Sequence, residues 1–323
     1  MKALCVFSGG LDSMLAVELV RAQDIEVQAL FFETPFFSSD KAKTSAEHLH
    51  VPLRVIDITK PHLEIVQNPR HGYGTHMNPC IDCHALMFRT AGELLEDEGA
   101  GFVISGEVLG QRPMSQNKSA LELIARESGL GSLLLRPLSA KHLPPSKPET
   151  RGWIQRDLLL DFKGRSRKPQ MALAKKLKIS DYPSPAGGCL LTEEVFSRRL
   201  KHLFSCTPHP EIFEIELLKF GRHFALGPGT KLVVGRNKQE NQRLFSLATG
   251  KRTILKPVSI PGPTAVLTGP VTPSLLGLAL EITVAYSDSE GQDSVKMGIS
   301  GEKDERVEIA PGKHKRAFKG MMI

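Results

Sequence analysis

Apolar residues fall in short unbroken runs over the first third of the chain, separated by stretches of helical spacing. Residues 2–7 (Lys-Ala-Leu-Cys-Val-Phe) make one such run, 26–32 a second, 53–58 a third and 102–105 a fourth. Runs of this length without polar alternation predict strands buried on both faces. Between them, 11–21, 40–50, 86–95 and 115–128 carry apolar positions three and four apart, which predicts amphipathic helices. Strand and helix alternate, so a parallel sheet is expected, with 133–135 as its last strand. Such sheets bind ligands at the carboxyl ends of their strands.

Past a proline-rich run at 142–148 the pattern changes. Residues 192–204 read as a helix capped by Thr192, with Glu194 in its first turn. Beyond Pro208, the segments 211–220 and 231–234 read as strands, 237–247 as a polar helix, 275–285 as an apolar one, and 295–299 with 305–309 as a hairpin. The expected architecture is α/β, with a parallel-sheet domain over 1–207 and a smaller α+β domain over 208–323. Ahead of the boundary, Tyr182-Pro183-Ser184-Pro185-Ala186-Gly187-Gly188-Cys189 cannot form regular structure and is expected to hold Cys189 rigidly.

Composition narrows the function. A chain of 323 residues that is 41% hydrophobic is long enough for two cored domains. No stretch is long and apolar enough to span a bilayer, and no secretory leader precedes the first strand, so no membrane partner and a cytoplasmic location are expected. The net charge of +7 is unevenly spread: between Lys141 and Lys178 there are eleven Lys and Arg against three acids. That excess implies a polyanionic partner. The basic tail Lys313-His314-Lys315-Arg316 is expected to be disordered or to grip an anion.

The first strand runs into Ser8-Gly9-Gly10-Leu11-Asp12-Ser13. Two glycines allow a tight turn and close ligand approach, and the free N–H groups of the following helix suit phosphate. Asp12 beside a phosphate cradle makes sense if Mg2+ bridges them. The strand at 102–105 delivers Gly106-Glu107-Val108-Leu109-Gly110-Gln111 to the same edge, and the residues after Phe31-Phe32, at the end of the second strand, are placed to line an adenine through backbone groups.

Five cysteines is an odd count with two of them in a Cys-Xaa-Xaa-Cys pair, so in a reducing compartment metal or sulfur chemistry is expected over a disulfide framework. Cys80 and Cys83 form a Cys-Ile-Asp-Cys pair at a predicted helix start, where the dipole is expected to favour thiolate. Cys189 is the natural third thiol. Three chemistries are open to this trio: a [4Fe-4S] cluster with one open iron, a persulfide and disulfide relay, or a zinc site closed by His76 or His84. Cys5 and Cys206 read as packing residues.

Ser8-Gly9-Gly10-Leu11-Asp12-Ser13 resembles the PP-loop of ATP pyrophosphatases, whose fold is adenine nucleotide alpha-hydrolase-like. Taken with Gly106 to Gln111, the first two hundred residues resemble the catalytic domain of tRNA 4-thiouridine synthases, and Asn78-Pro79-Cys80-Ile81-Asp82-Cys83 is similar to a stretch of tRNA 2-thiouridylases. The resemblance implies adenylation of a uridine carbonyl oxygen by ATP and Mg2+, then displacement of AMP by sulfur. It implies that Ser8, Gly9, Gly10, Leu11, Asp12 and Ser13 hold pyrophosphate and metal, that Phe32, Gly106 and Gln111 lie along the nucleotide, and that Cys80, Cys83 and Cys189 carry sulfur.

The pattern also departs from those enzymes. No THUMP module stands ahead of Ser8 in this sequence and no rhodanese domain follows, so RNA binding and sulfur delivery are expected from elsewhere, the sulfur from a cysteine desulfurase or free sulfide. Arg222-His223-Phe224 and the run from Lys231 to Asn241 resemble the RNA-binding domain of NFACT-type proteins, which implies RNA contacts from Arg222, Lys231, Arg236, Asn237, Lys238 and Asn241 and makes tRNA the expected partner. Three rival readings are a PP-loop amidating synthetase with ammonia or an amine as nucleophile, sulfur transfer to a small molecule, and an ATP-sensing protein that binds RNA or ribosomes without thiolating anything.

Overall fold

The first strand, β1 (Lys2–Val6), is the middle of a five-stranded sheet in the computed structural model, which describes every residue except 183–187, 249, 251 and 302–303. Most of the proline-glycine stretch ahead of Cys189 therefore lies outside the described residues. Around β1 stand β2 (Glu26–Glu33), β3 (Leu53–Asp57), β4 (Phe102–Ser105) and β5 (Leu134–Leu135), in the order β3-β2-β1-β4-β5, all parallel. The unbroken apolar runs are explained by helices on both faces. Ala3, Leu4 and Cys5 have no exposed surface. Cys5 packs with Met14, Val17 and Phe102 on one face, while Leu4 packs with Leu30, Phe88 and Ile124 on the other. Each such side chain contributes about 1.5–3 kcal/mol by burial.

The helices are α1 (Leu11–Arg21), α2 (Asp40–His48), α3 (Thr59–Gln67), α4 (Cys80–Glu93), α5 (Lys118–Glu127), a single turn α6 (Lys147–Thr150) and α7 (Lys168–Lys176). The alternation expected from sequence is present. α3 is not legible there, because its apolar positions are few and Pro61 interrupts them.

The chain divides into two compact units, Met1–Thr192 and Glu193–Ile323. Helix α8 (Glu194–Cys206) lies with the second, so the division falls ahead of the limit at 207 read from sequence. It is held there by Arg199, which donates to the carbonyls of Leu218 and Gly221 at 2.8 and 3.0 Å. Thr192 is not its cap: Glu193 occupies that position, and the Thr192 hydroxyl donates to the Cys189 carbonyl at 2.7 Å.

The second unit is built on a six-stranded antiparallel sheet. Its strands are β6 (Arg222–Gly227), β7 (Thr230–Val234), β8 (Thr253–Pro257), β9 (Ala265–Thr268), β10 (Val295–Ser300) and β11 (Glu305–Ile309). They stand in the order β11-β10-β8-β9-β7-β6. On one face, α9 (Ile212–Leu217) and α10 (Lys238–Ala248) pack through Leu217 and Leu244, and on the other α11 (Pro273–Ala285) packs through Ala279 and Ile282. The strand expected at 211–220 is thus a helix. Glu211 and Glu214 form a capping box, which satisfies the first N–H groups and starts the turn that buries Ile215 and Leu217.

Candidate functional site

In the first unit, the carboxyl ends of β1, β2 and β4 open onto a cavity of about 400 Å³. One end of it is the turn after β1. Gly9 has φ +71°, and an added Cβ would stand 2.7 Å from Ala42 Cα, so only glycine fits there. Ser45 Oγ on α2 donates to the Gly9 carbonyl at 2.8 Å and fixes the turn. Gly10, at the N-cap of α1, is extended and offers no side-chain cap, which leaves the first N–H groups of α1 for a ligand. Ser8, Gly10, Asp12 and Ser13 line the cavity. Leu11 instead points into the core at 1% exposure, and it contributes backbone only.

Asp12 Oδ2 accepts from Gln111 Nε2 at 2.9 Å, whereas its Oδ1 is buried with no hydrogen-bond partner among the described residues. A buried carboxylate oxygen in that state fits a cation. Gln111 thus orients Asp12 and is not itself part of the cavity lining; Gly106 and Phe32 are. Phe31, Phe32 and Phe37 make the wall apolar, while Lys41 and Arg112, not singled out by sequence, bring positive charge to it.

Cys80, Cys83 and Cys189 all line this cavity. The pair begins α4, and the Cys189 segment is tied in by the Leu190 N–H, which donates to the Phe36 carbonyl at 3.1 Å. No disulfide forms among the described residues. Asn78 Nδ2 lies 3.2 Å from Cys80 Sγ, and His62 Nε2 lies 3.2 Å from Cys83 Sγ. The expectation that the helix start favours thiolate is reversed at Cys83: burial pushes its thiol well above the ordinary value, and the charges of Cys189, Cys80 and Asp82 add to that. His62 has no exposed surface and burial pulls it down to about 4, so the ring is neutral. It escapes a sequence reading because α3 does.

On the same cavity lining, His84 Nδ1 donates to Glu107 Oε1 at 2.8 Å, and Arg136 Nε donates to Glu107 Oε2 at 2.7 Å. His76 and His84 do not complete a zinc site. Among the described residues, no three His, Cys, Asp or Glu side chains are arranged to hold a metal ion.

Of the basic band, Arg156 is consumed internally by Glu149 and by the carbonyls of Ala140 and Leu143. Lys163, Arg165, Lys168, Lys175, Lys176 and Lys178 lie at the surface.

The second unit carries a groove of about 970 Å³ lined by Arg222, Arg236, Lys238, Lys256 and Lys315. Arg222 Cζ stacks 4.9 Å from the centre of the Tyr286 ring. Asn237 and Asn241 line it too but are bound within the protein: Asn237 Oδ1 caps α10 through Glu240 N at 2.9 Å, and Asn241 Oδ1 accepts from Thr264 N at 3.1 Å. Arg236 grips Glu240 through both backbone and guanidinium. Lys231 is not on this surface; it is 5% exposed within the sheet. Lys256, Lys315 and Tyr286 are not legible as a group from sequence, being far apart along the chain.

Two family models match this chain, one in each unit. Residues 1–142 match thiamine biosynthesis protein (ThiI), and residues 221–319 match the NFACT protein RNA binding domain. A "Probable tRNA sulfurtransferase" of Thermoanaerobacter sp. (strain X514) is 29% identical over 119 residues, 34% of this chain and 30% of the relative. Its namesake from Caldanaerobacter subterraneus subsp. tengcongensis is 28% identical over 146 residues, 42% of this chain and 36% of the relative. The chain therefore matches well under half the length of these curated relatives. The crystal structure of a 4-thiouridine synthetase–RNA complex with bound ATP aligns at a TM-score of 0.35 and 21% identity, over 55% of this chain and 49% of that one.

Proposed function

We propose that this protein thiolates a uridine of tRNA at the expense of ATP. The observation that carries the reading is the convergence of Cys80, Cys83 and Cys189, from two remote segments, on the cavity that the Ser8-Gly9-Gly10 turn opens into. The similarity of the first unit to tRNA sulfurtransferases and the RNA-binding match of the second support it.

In this mechanism the free N–H groups of α1 hold the phosphates of ATP, and Asp12, oriented by Gln111, is the residue that would hold Mg2+, which would neutralise phosphate charge. The apolar wall of Phe31, Phe32 and Phe37 takes the adenine, and Lys41 and Arg112 balance phosphate charge. A uridine carbonyl oxygen attacks the α-phosphate, and pyrophosphate leaves. Sulfur delivered from the cysteine wall then bonds to the activated carbon, the C–O bond breaks, and AMP departs. A single zinc ion requires donors at about 2.0–2.3 Å from one point. Cys80, Cys83 and Cys189 are not gathered on one metal position as they stand; were they to close on a [4Fe-4S] cluster, they are the residues that would hold it, and its open iron would supply a site for sulfide. The basic groove and the exposed cations of the first unit bind the tRNA, in the cytoplasm.

The test pairs two variants with mass spectrometry of tRNA nucleosides. Asp12→Ala abolishes AMP formation from ATP and tRNA, whereas Cys189→Ala leaves AMP formation and stops thionucleoside appearance. Normal thiolation by Cys189→Ala overturns the sulfur assignment, and tRNA with an unchanged thionucleoside content in a strain lacking the gene overturns the function.

A further inference from the structure

The basic groove of the second unit also carries flat, stackable surface. Arg222 Cζ lies 4.9 Å from the centre of the Tyr286 ring, and that ring is fixed in turn against buried Phe224, with centroids 5.7 Å apart. The guanidinium is therefore held as a braced plate on the groove wall. Along the wall, α10 presents Lys238, Asn241 and Phe245, three and four residues apart, on a stripe beside the buried one of Glu240, Leu244 and Ala248. Phe245 is 52% exposed.

One exposed aromatic ring is ordinary at a protein surface. Here the ring stands in a groove with five cations and a single acid, Asp288, among the described residues that line it. Arg236 is spent on Glu240, whereas Lys238, Lys256 and Lys315 form no ion pair among the described residues. Cations alone serve any nucleic acid, duplex included, because every phosphate offers the same charge. Flat surface serves only bases whose faces are free, and in a duplex each base is covered above and below by its neighbours. An aromatic ring and a braced guanidinium beside uncommitted lysines thus match an unpaired strand. An acidic protein surface would answer the lysines and leave both plates without a flat partner.

We propose that this groove binds single-stranded RNA, with one unpaired base stacked on the Arg222 guanidinium, another on Phe245, and phosphates on Lys238, Lys256 and Lys315. The inference rests on the RNA-binding part of the function proposed above and deepens it: the second unit selects an unpaired stretch of its RNA and passes over paired stems. Stacking tolerates any base, since every base has a flat face, so the groove recognises strandedness and not sequence.

The full chain is titrated by fluorescence anisotropy, without ATP or a sulfur source, with a short end-labelled RNA in three forms. These are a mixed-sequence single strand, that strand annealed to its complement, and an abasic strand that keeps the phosphates and lacks the bases. The wild-type chain is expected to bind the abasic strand about fivefold or more weakly than the intact one, the worth of one stacked base or more. Phe245→Ala and Arg222→Lys each weaken binding of the intact single strand by about fivefold or more. Arg222→Lys keeps the charge and loses only the plane, so the salt slope stays as it was. Duplex binding, which the exposed cations of the first unit can also serve, is unchanged in both variants. Phe245 is exposed, so its replacement leaves the fold intact and stands as a test by itself if Arg222→Lys disturbs Tyr286. Equal affinity for intact and abasic strands, single-strand affinity unchanged in both variants, equal losses on strand and duplex, or no RNA bound at low salt overturns the proposal. Thiolation plays no part in this readout, so failure of the sulfur chemistry is told apart from failure here.

Discussion

A Cβ placed on Gly106 would stand 2.4 Å from the carbonyl carbon of Asp12. The turn after β4 is thus pressed against the first turn of α1, and the space for that approach exists only because residue 106 lacks a side chain. Gly106→Ala must push the start of α1 aside. The expected outcome is a loss of about 1–3 kcal/mol in stability from the overpacking. On the proposed function, ATP affinity, measured by calorimetry, falls at least about tenfold, since the N–H groups proposed to hold phosphate move with the turn.

Glu107 and Arg136 are 5% and 6% exposed and are paired with each other. Burial alone would raise the Glu107 pKa, but the Arg136 charge and the His84 ring hold it down at about 2. Arg136→Met leaves a buried carboxylate without its counter-charge, and a cost of about 3–5 kcal/mol is expected in denaturant unfolding. The double variant with Glu107→Gln recovers most of it. Folded Glu107 binds its proton more weakly than unfolded Glu107, so its contribution is present above the ordinary carboxylate range and is lost as pH falls from about 4.5 toward 2.

The second unit has its own acid sensitivity. His223 is 1% exposed; its Nε2 donates to the Phe220 carbonyl at 2.8 Å, and its Nδ1 has no partner among the described residues. Burial, with Arg199 nearby, pulls its pKa from 6.5 to about 3. The unfolded chain therefore takes up a proton that the folded one refuses, and stability drops by up to about 1.4 kcal/mol per pH unit as pH falls between those values. His223→Phe removes that slope in unfolding experiments run from pH 7 to pH 4.

For RNA, the groove points to Arg222, Lys256 and Lys315 over Lys231. Replacing all three by Ala is expected to weaken tRNA binding and to make it less sensitive to salt, the slope falling by about 0.7–0.9 for each phosphate no longer neutralised. Lys231→Met leaves both unchanged. Filter-binding titrations at several salt concentrations check this.

How much is legible follows from where each signal lives. Ser8 to Ser13 and the Cys80/Cys83 pair are contiguous, and the unbroken apolar runs beside them fix a parallel sheet, so the cavity and the sulfur wall are readable. Cys189 is readable only as a third thiol, since nothing local says that Leu190 bonds to Phe36. The strands β6, β8 and β9 escape a sequence reading and 211–220 misleads it, because a short apolar segment satisfies helical and strand periods alike until a cap is recognised. Lys231 is misplaced by sequence because a lysine at a strand start normally faces water; here β7 is interior to the sheet and covered on both faces.

β1 and β4 are adjacent and point the same way, so the segments that follow them emerge side by side whatever their sequence. Loops of other sequence can therefore be carried at this edge without unfolding the scaffold, provided Gly9 and Gly106, where no side chain fits, are retained.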